Sequence, residues 1–240
     1  MEAMIFAAGL GTRLQNETAD KPKALVEIGG KTLLQRAIEK IIEAGASQIV
    51  VNVHHFSEKV ISFIQHHQWQ VPVKISDESE LLLETGGGLK KAAPLFSGKE
   101  PILLYNVDIL SDVNLQKILD IHLKSGALAS LLVRSRETQR YFKFNEELRL
   151  VGWINKKSGE KKISLDQNFN QATELAFSGI HFVQPKIFDY MPAEERFSIV
   201  KLYLELAKSK TIKGIVDDSE LWLDVGKPEE LEAARNRFRS

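Results

Sequence analysis

Apolar residues recur along this chain in two rhythms. Short continuous runs alternate with stretches whose apolar positions repeat every three or four residues. The run Ala3 to Ala8 reads as a buried strand. Next, Leu34, Ala37, Ile38, Ile41 and Ile42 fall on one helical face. Thr32 before that helix and Gln35 three residues on form a capping-box pattern, and Gly45 stands where a left-handed C-terminal cap belongs. Strand-like QIVVNV (48–53), helical SEKVISFIQHH, strand-like VPVKIS and a helix opened by GGGLKKAAPLF follow. The apolar run from Pro101 to Asp108 predicts another buried strand, then come helical LQKILDIHLKSG and strand-like ALASLLVRS.

Uninterrupted apolar strands separated by helices point to a parallel sheet covered on both faces. The expected fold is therefore α/β: a doubly wound, mostly parallel, Rossmann-like but mixed sheet flanked by helices. The parallel layout should run to about residue 135. Beyond it the rhythm changes. YFKFNEELRLVGWIN reads as an antiparallel hairpin turning at NEE, LAFSGIHFV as a strand, and SIVKLYLELAKS and KPEELEAARNRF as helices. One domain over 1–240 is expected, with its second half, about 136–240, facing the first. Ligands in such sheets bind at the carboxyl ends of the strands.

Composition narrows the choices. The 240 residues carry 32 basic and 32 acidic side chains, so no general attraction to nucleic acid or to an anionic membrane exists. Any anion must be held locally. The absence of cysteine excludes disulfides and thiolate metal sites. No apolar run is long enough to span a bilayer, and Met1 to Phe6 lacks the basic start of a signal peptide, so a cytoplasmic, non-membrane protein is expected. Whether it is a monomer or a homodimer is left open.

The most informative stretch is FAAGLGTRLQNETADKPKALVEIGGKT. A dinucleotide fingerprint would place a third glycine three residues after Gly11, where Leu14 stands. A P-loop would place a glycine five residues before Gly30, where Leu25 stands. Gly30-Lys31-Thr32 is better read as a turn leading into the Thr32 cap. What remains is a different phosphate loop, Ala7-Ala8-Gly9-Leu10-Gly11-Thr12-Arg13, directly after strand one. Its glycines let backbone N–H groups approach phosphates, and Arg13 adds a forked cation. Of the downstream lysines, Lys23 is better placed than Lys21, which Pro22 pushes into an extended conformation.

AAGLGTRL followed by KPKALVEIGGKTLL closely resembles the opening of the sugar-phosphate nucleotidyltransferases. Four later segments resemble that family in the family's order: LLLETGGGLKKA, LLYNVDIL, AFSGIHFV and WLDVGKPEEL. ETGGG and the short chain most resemble N-acetylmuramic-acid-1-phosphate uridylyltransferases and guanylyltransferases acting on mannose or heptose 1-phosphate.

The resemblance implies a nucleoside triphosphate and a sugar 1-phosphate as substrates, Mg2+ as cofactor, and a nucleotide sugar as product. Catalytic cations would be Arg13 and Lys23. Nucleotide contacts would come from Ala7, Ala8, Gly9, Gly11, Thr12, Arg13, Lys23, Asp77, Thr85 and Gly86. Sugar contacts would come from Glu84, Gly87, Asn106, Glu174 and Gly179. Asp108 and Asp224 would bind the metal; Asp112 could assist or cap a helix.

One departure is Val107, where the family usually has glycine between the Asn and the Asp; it is expected to narrow the sugar pocket. His54-His55, His66-His67 and the tryptophans Trp69, Trp153 and Trp222 are expected to serve packing and surface roles. Two other readings compete. A non-catalytic nucleotide-sugar-binding regulatory subunit would share the fold. A nicotinamide-dependent dehydrogenase would want the third glycine and an acid ending strand two, where this chain reads NVHH.

Overall fold

A computed structural model describes residues 1–166 and 169–238, with the side chains of all but 15 and 16. Alternation along the first strand sets the architecture. In β1 (Glu2–Phe6), Ala3 and Ile5 enter one hydrophobic core while Met4 and Phe6 enter another. A strand buried on both faces needs cover on both. On one side this comes from α1 (Leu33–Glu43), α2 (Ser57–His66), α4 (Leu115–Ser125) and α6 (Pro228–Arg237). Opposite them lie α3 (Glu84–Ala92) and α5 (Ile199–Leu206).

The first half is parallel, as the sequence predicts. β1 lies between β4 (Gln48–Val53) and β6 (Ile102–Asn106), and β5 (Val73–Asp77) extends the sheet beyond β4. Between β1 and β4, β2 (Glu27–Ile28) and β3 (Lys31–Thr32) form a small antiparallel pair. The Thr32 hydroxyl accepts from the Gln35 N–H at 3.0 Å, capping α1. Gln35 turns its own side chain to Glu39 at 2.9 Å, so only half of the capping box forms. Gly45 takes φ +79 after the helix.

The parallel layout stops one strand sooner than expected. β8 (Ala129–Arg134) does not pair with β6. The eleven-residue β12 (Thr173–Val183) lies between them, antiparallel to both, and β13 (Ile212–Val216) closes that side parallel to β8. Such long-range pairing leaves no local trace in an apolar run. The start of β12 leaves β8 and pairs with β9 (Arg140–Phe144), which carries the expected hairpin to β10 (Leu150–Asn155) and then β11 (Lys161–Ile163). At the hairpin turn the Asn145 side chain accepts from the N–H groups of Glu147 and Arg149.

A two-stranded ribbon stands apart from the main sheet. β7 (Ile109–Ser111) directly follows the β6 turn, and β14 (Trp222–Asp224) pairs with it antiparallel. No helix among the described residues is long and apolar enough to cross a membrane.

Candidate active site

The β7–β14 ribbon brings the two expected metal-binding acids together. Asp108 precedes β7, and Asp224 ends β14 opposite Ile109. Antiparallel pairing therefore sets residues 108 and 224 side by side although 116 positions separate them. The Val225 N–H donates to the Asp108 carbonyl at 2.9 Å and locks this register. Gly226 shows how tightly the side chains converge. A β-carbon there would lie 3.0 Å from Asp108 Oδ2, from Asp224 Oδ1 and from Arg13 Nη2. No two of these atoms can then be more than about 6 Å apart, and any side chain at 226 would fill the gap between them.

Lys23 joins the group from the other side. Its ammonium bonds Asp108 Oδ2 at 2.5 Å, both side chains being nearly buried. A β-carbon on Gly9 would meet only Lys23 Nζ, at 3.9 Å. The cation thus spans the phosphate-loop glycine and the acid. Gly11 takes φ +66, which suits glycine, and turns the chain into a 3-10 segment from Thr12 to Thr18. Arg235 grips Glu17 of that segment with both guanidinium arms at 2.8 and 2.7 Å, tying the last helix to the loop and holding the Glu17 carboxyl below its usual range.

Beside these groups lies a cavity of about 390 Å³ lined by Gly9, Lys23, Glu84, Thr85, Asn106 and Asp108, with Phe6, Ala8, Asn52, Glu78 and Leu82 completing it. Asn52 and Glu78 were not singled out from the sequence. Asn52 Oδ1 accepts from the N–H groups of Ala7 and Ala8 at 2.7 and 3.3 Å, and its amide donates to Glu78 Oε1 at 2.7 Å. Glu78 Oε2 accepts from the Leu83 N–H at 3.2 Å. Burial raises the Glu78 carboxyl pKa above its usual value, the bonds from Asn52 and Leu83 opposing it. This buried pair fixes the start of the phosphate loop to the segment before α3. An amide within the otherwise apolar run from Ile49 to Val53 was the available signal.

The remaining candidates divide. Arg13 and Thr12 are exposed on the loop. Thr85 and Glu84 face the cavity, and the Thr85 hydroxyl also accepts from the Ile199 N–H at 3.1 Å. Gly179, with φ +76, backs onto the cavity wall: a β-carbon there would sit 2.9 Å from Asn106 Nδ2. Gly86 and Gly87 do not open onto this cavity. Both their N–H groups donate to the Phe197 carbonyl, at 2.9 and 3.1 Å. A β-carbon at 86 would strike the Phe197 ring at 2.4 Å, and one at 87 the Glu195 carbonyl at 2.0 Å.

Asp77 is exposed outside the cavity lining, its carboxylate accepting from the Ser79 N–H at 2.8 Å. Glu174 also lies outside the lining, ion-paired with Lys156 at 2.7 Å and Lys143 at 3.8 Å. Val107 is buried in the core and does not narrow the cavity. Asp112 neither joins the acids nor caps α4, which Asn114 caps; it accepts from the Leu221 N–H at 3.1 Å. His54 meets the Glu78 carbonyl at 2.6 Å, and His66 and His67 meet carbonyls of their own helix. Among the described residues no group of three or more His, Cys, Asp or Glu could hold a metal.

A doubly wound sheet whose strand ends gather a glycine loop, two cations and two acids has the layout expected of a nucleotide-handling transferase. The sequence profile of the nucleotidyl transferase family matches residues 2–240, and the chain belongs to that family. It is 32% identical to the N-acetylmuramate alpha-1-phosphate uridylyltransferase of Caulobacter vibrioides, covering 98% of this chain and 96% of that protein. It is 25% identical to the mannose-1-phosphate guanylyltransferase catalytic subunit beta of Dictyostelium discoideum, over 96% of this chain but 62% of that longer protein. Among solved structures it resembles HddC from Yersinia pseudotuberculosis with a TM-score of 0.78, at 23% identity and 99% coverage of both chains.

Proposed function

We infer that this chain transfers the nucleotidyl group of a nucleoside triphosphate to a sugar 1-phosphate, releasing pyrophosphate. The observation that carries this reading is the convergence of Arg13, Asp108 and Asp224 around Gly226, with Lys23 bonded to Asp108 in the lining of the 390 Å³ cavity. Both reactants are anions, so the protein must gather cations and align them. A phosphate oxygen of the sugar 1-phosphate attacks the α-phosphorus. The bond from that phosphorus to the bridging oxygen breaks, and the electron pair leaves with pyrophosphate. A phosphate monoester dianion is already nucleophilic, so no general base is needed.

Lys23 faces Gly9 and supplies charge where the triphosphate crosses the loop; Arg13 supplies a second cation across Gly226. The donor set fits Mg2+: two separate carboxylates, with waters and phosphate oxygens left to complete the shell. Asp108 and Asp224 would hold the ion, which when bound withdraws charge from the phosphates. Asn106, backed by the Gly179 kink, forms part of the wall on which a sugar would rest. The Caulobacter relative favours uridylyl transfer to an N-acetylmuramate-type sugar, with guanylyl transfer the second choice. Charged substrates of this kind fit a cytoplasmic enzyme.

The test is a matrix of four nucleoside triphosphates against a panel of sugar 1-phosphates with Mg2+, read by pyrophosphate release. Turnover of one uridine or guanosine pair well above the others is expected. Binding without turnover across the whole matrix would favour the regulatory subunit.

A further inference from the structure

The sugar-side wall and the acid pair are joined by a contact that the proposed reaction does not by itself require. Arg136, just past β8, lies with its guanidinium carbon 4.4 Å from the centre of the Trp222 ring, and Arg134 lies 5.6 Å from it. Trp222 opens the ribbon strand that ends in Asp224. Its indole N–H donates to the Ser178 carbonyl at 3.0 Å, and Arg136 Nη2–H donates to the Phe177 carbonyl at 3.2 Å. These two carbonyls fall where β12 shifts register between Phe177 and His181, immediately before Gly179. One stacked pair therefore grips the kink that presses Gly179 onto Asn106, and it grows from the strand that presents Asp224.

Arg136 is held there at some cost. Burial lowers its pKa, and the charge of Asp224 is the largest opposing influence. Its Nε is buried and has no hydrogen-bond partner among the described residues. Plain packing of the indole would not need a cation. Arg134 anchors the approach to the same strand, donating to Asp217 Oδ2 and to the Ser219 carbonyl, both at 3.1 Å.

We propose that Arg136 is a positioning residue, stacked on Trp222 so that Asp224 and the Gly179–Asn106 wall are set as one unit. The inference rests on the transfer reaction proposed above. It predicts a lopsided kinetic effect, because the loop that carries Arg13 has anchors of its own in Asn52 and Arg235, besides the Lys23–Asp108 bond.

The experiment compares Arg136→Lys, Arg136→Met, Trp222→Phe and the Met/Phe double variant in the full chain. Each substrate is varied in turn, and near-ultraviolet circular dichroism reads the Trp222 band, defined by the Trp222→Phe difference. For Arg136→Met, kcat should fall about tenfold and the sugar 1-phosphate KM rise about fivefold, with the triphosphate KM within about twofold. Arg136→Lys should recover part of the loss, to within about threefold of the parent, since an ammonium, though it cannot stack, can still lie over the indole face as a cation and donate to a carbonyl. The double variant should be at most about twofold worse than Arg136→Met, and the Trp222 band should vanish in Arg136→Met but persist in Arg136→Lys.

Parent-like kinetics for Arg136→Met, an equal rise in both KM values, no rescue by lysine, or fully multiplicative losses would each overturn the proposal. If Arg136→Met does not fold, Trp222→Phe is read for the same split, and an equal rise in both KM values there overturns the proposal. If the parent chain turns over no substrate pair, the transfer reading fails, while survival of the Trp222 band in folded Arg136→Met still refutes the coupling of Arg136 to Trp222.

Discussion

Two glycine-rich segments of this chain look alike as text and do opposite work. Gly9 and Gly11 lie in a loop open to solvent, where the nearest atom to a β-carbon on Gly9 is the Lys23 ammonium at 3.9 Å. Gly86, Gly87 and Gly88 lie inside α3, where a β-carbon would collide with Phe197, with the Glu195 carbonyl and with Glu78 Oε1 at 2.6 Å. In the first case the missing side chains leave room for a guest at Gly9 alone, since a β-carbon on Gly11 would already meet the Thr18 side chain at 3.0 Å. In the second they leave room for the protein itself, letting the 195–197 segment and the Asn52–Glu78 pair pack against a helix. Glycine marks close approach; what approaches depends on which groups surround it.

The sharpest way to test this contrast is to remove the acids opposite the open loop. Asp108→Asn and Asp224→Asn should each lower turnover by about a hundredfold or more, the scale of lost charge stabilisation at a reacting phosphate. Thermal melting should still show a cooperative fold for both. Parent-like turnover in either variant would remove that residue from the site.

Lys23→Ala should cost less, about 2–3 kcal/mol in kcat/KM for the triphosphate, since one charged donor among several is lost. Steady-state kinetics with the triphosphate varied measures it. An effect confined to the sugar 1-phosphate KM would place the lysine on the wrong substrate.

The glycines can be compared directly by urea unfolding. Gly87→Ala must push backbone aside and should destabilise by about 1–3 kcal/mol. Gly9→Ala has ordinary contact distance and should stay within about 0.5 kcal/mol of the parent, while raising the triphosphate KM. Equal stability losses at both positions would erase the distinction.

The smallest effect concerns Glu78 on the sealed side. Its folded pKa lies above the unfolded value, so the folded state holds the proton more tightly. Its contribution is therefore fully present below the ordinary glutamate range and falls as pH rises through the folded pKa. Glu78→Gln should flatten this part of the stability profile, followed by urea unfolding between about pH 4 and pH 7. An unchanged slope would show that Glu78 titrates normally.

Much of this was legible in the residues. The apolar runs marked the parallel strands, the Thr32 cap fell where the text placed it, and Arg13 and Lys23 lie beside the two acids that the text paired with them. Harder to read were features that depend on distant partners. Nothing near Thr173 reveals that β12 will separate β6 from β8. Nor could Gly86 and Gly87 show that Phe197, more than a hundred positions later, takes their N–H groups. Asp77 and Glu174 had the right chemistry, but an Asx turn and a pair of lysines engage them outside the cavity. Glu78, next to Asp77, lines the cavity instead.

The account depends most on Asp108 and Asp224 serving one cation beside the phosphate loop. Anomalous diffraction from a crystal soaked with Mn2+ and the preferred triphosphate measures this directly. A peak between the two carboxylates, within coordination distance of both and next to the triphosphate, is the predicted result. A peak elsewhere, or a triphosphate bound away from Gly9 and Lys23, would contradict it.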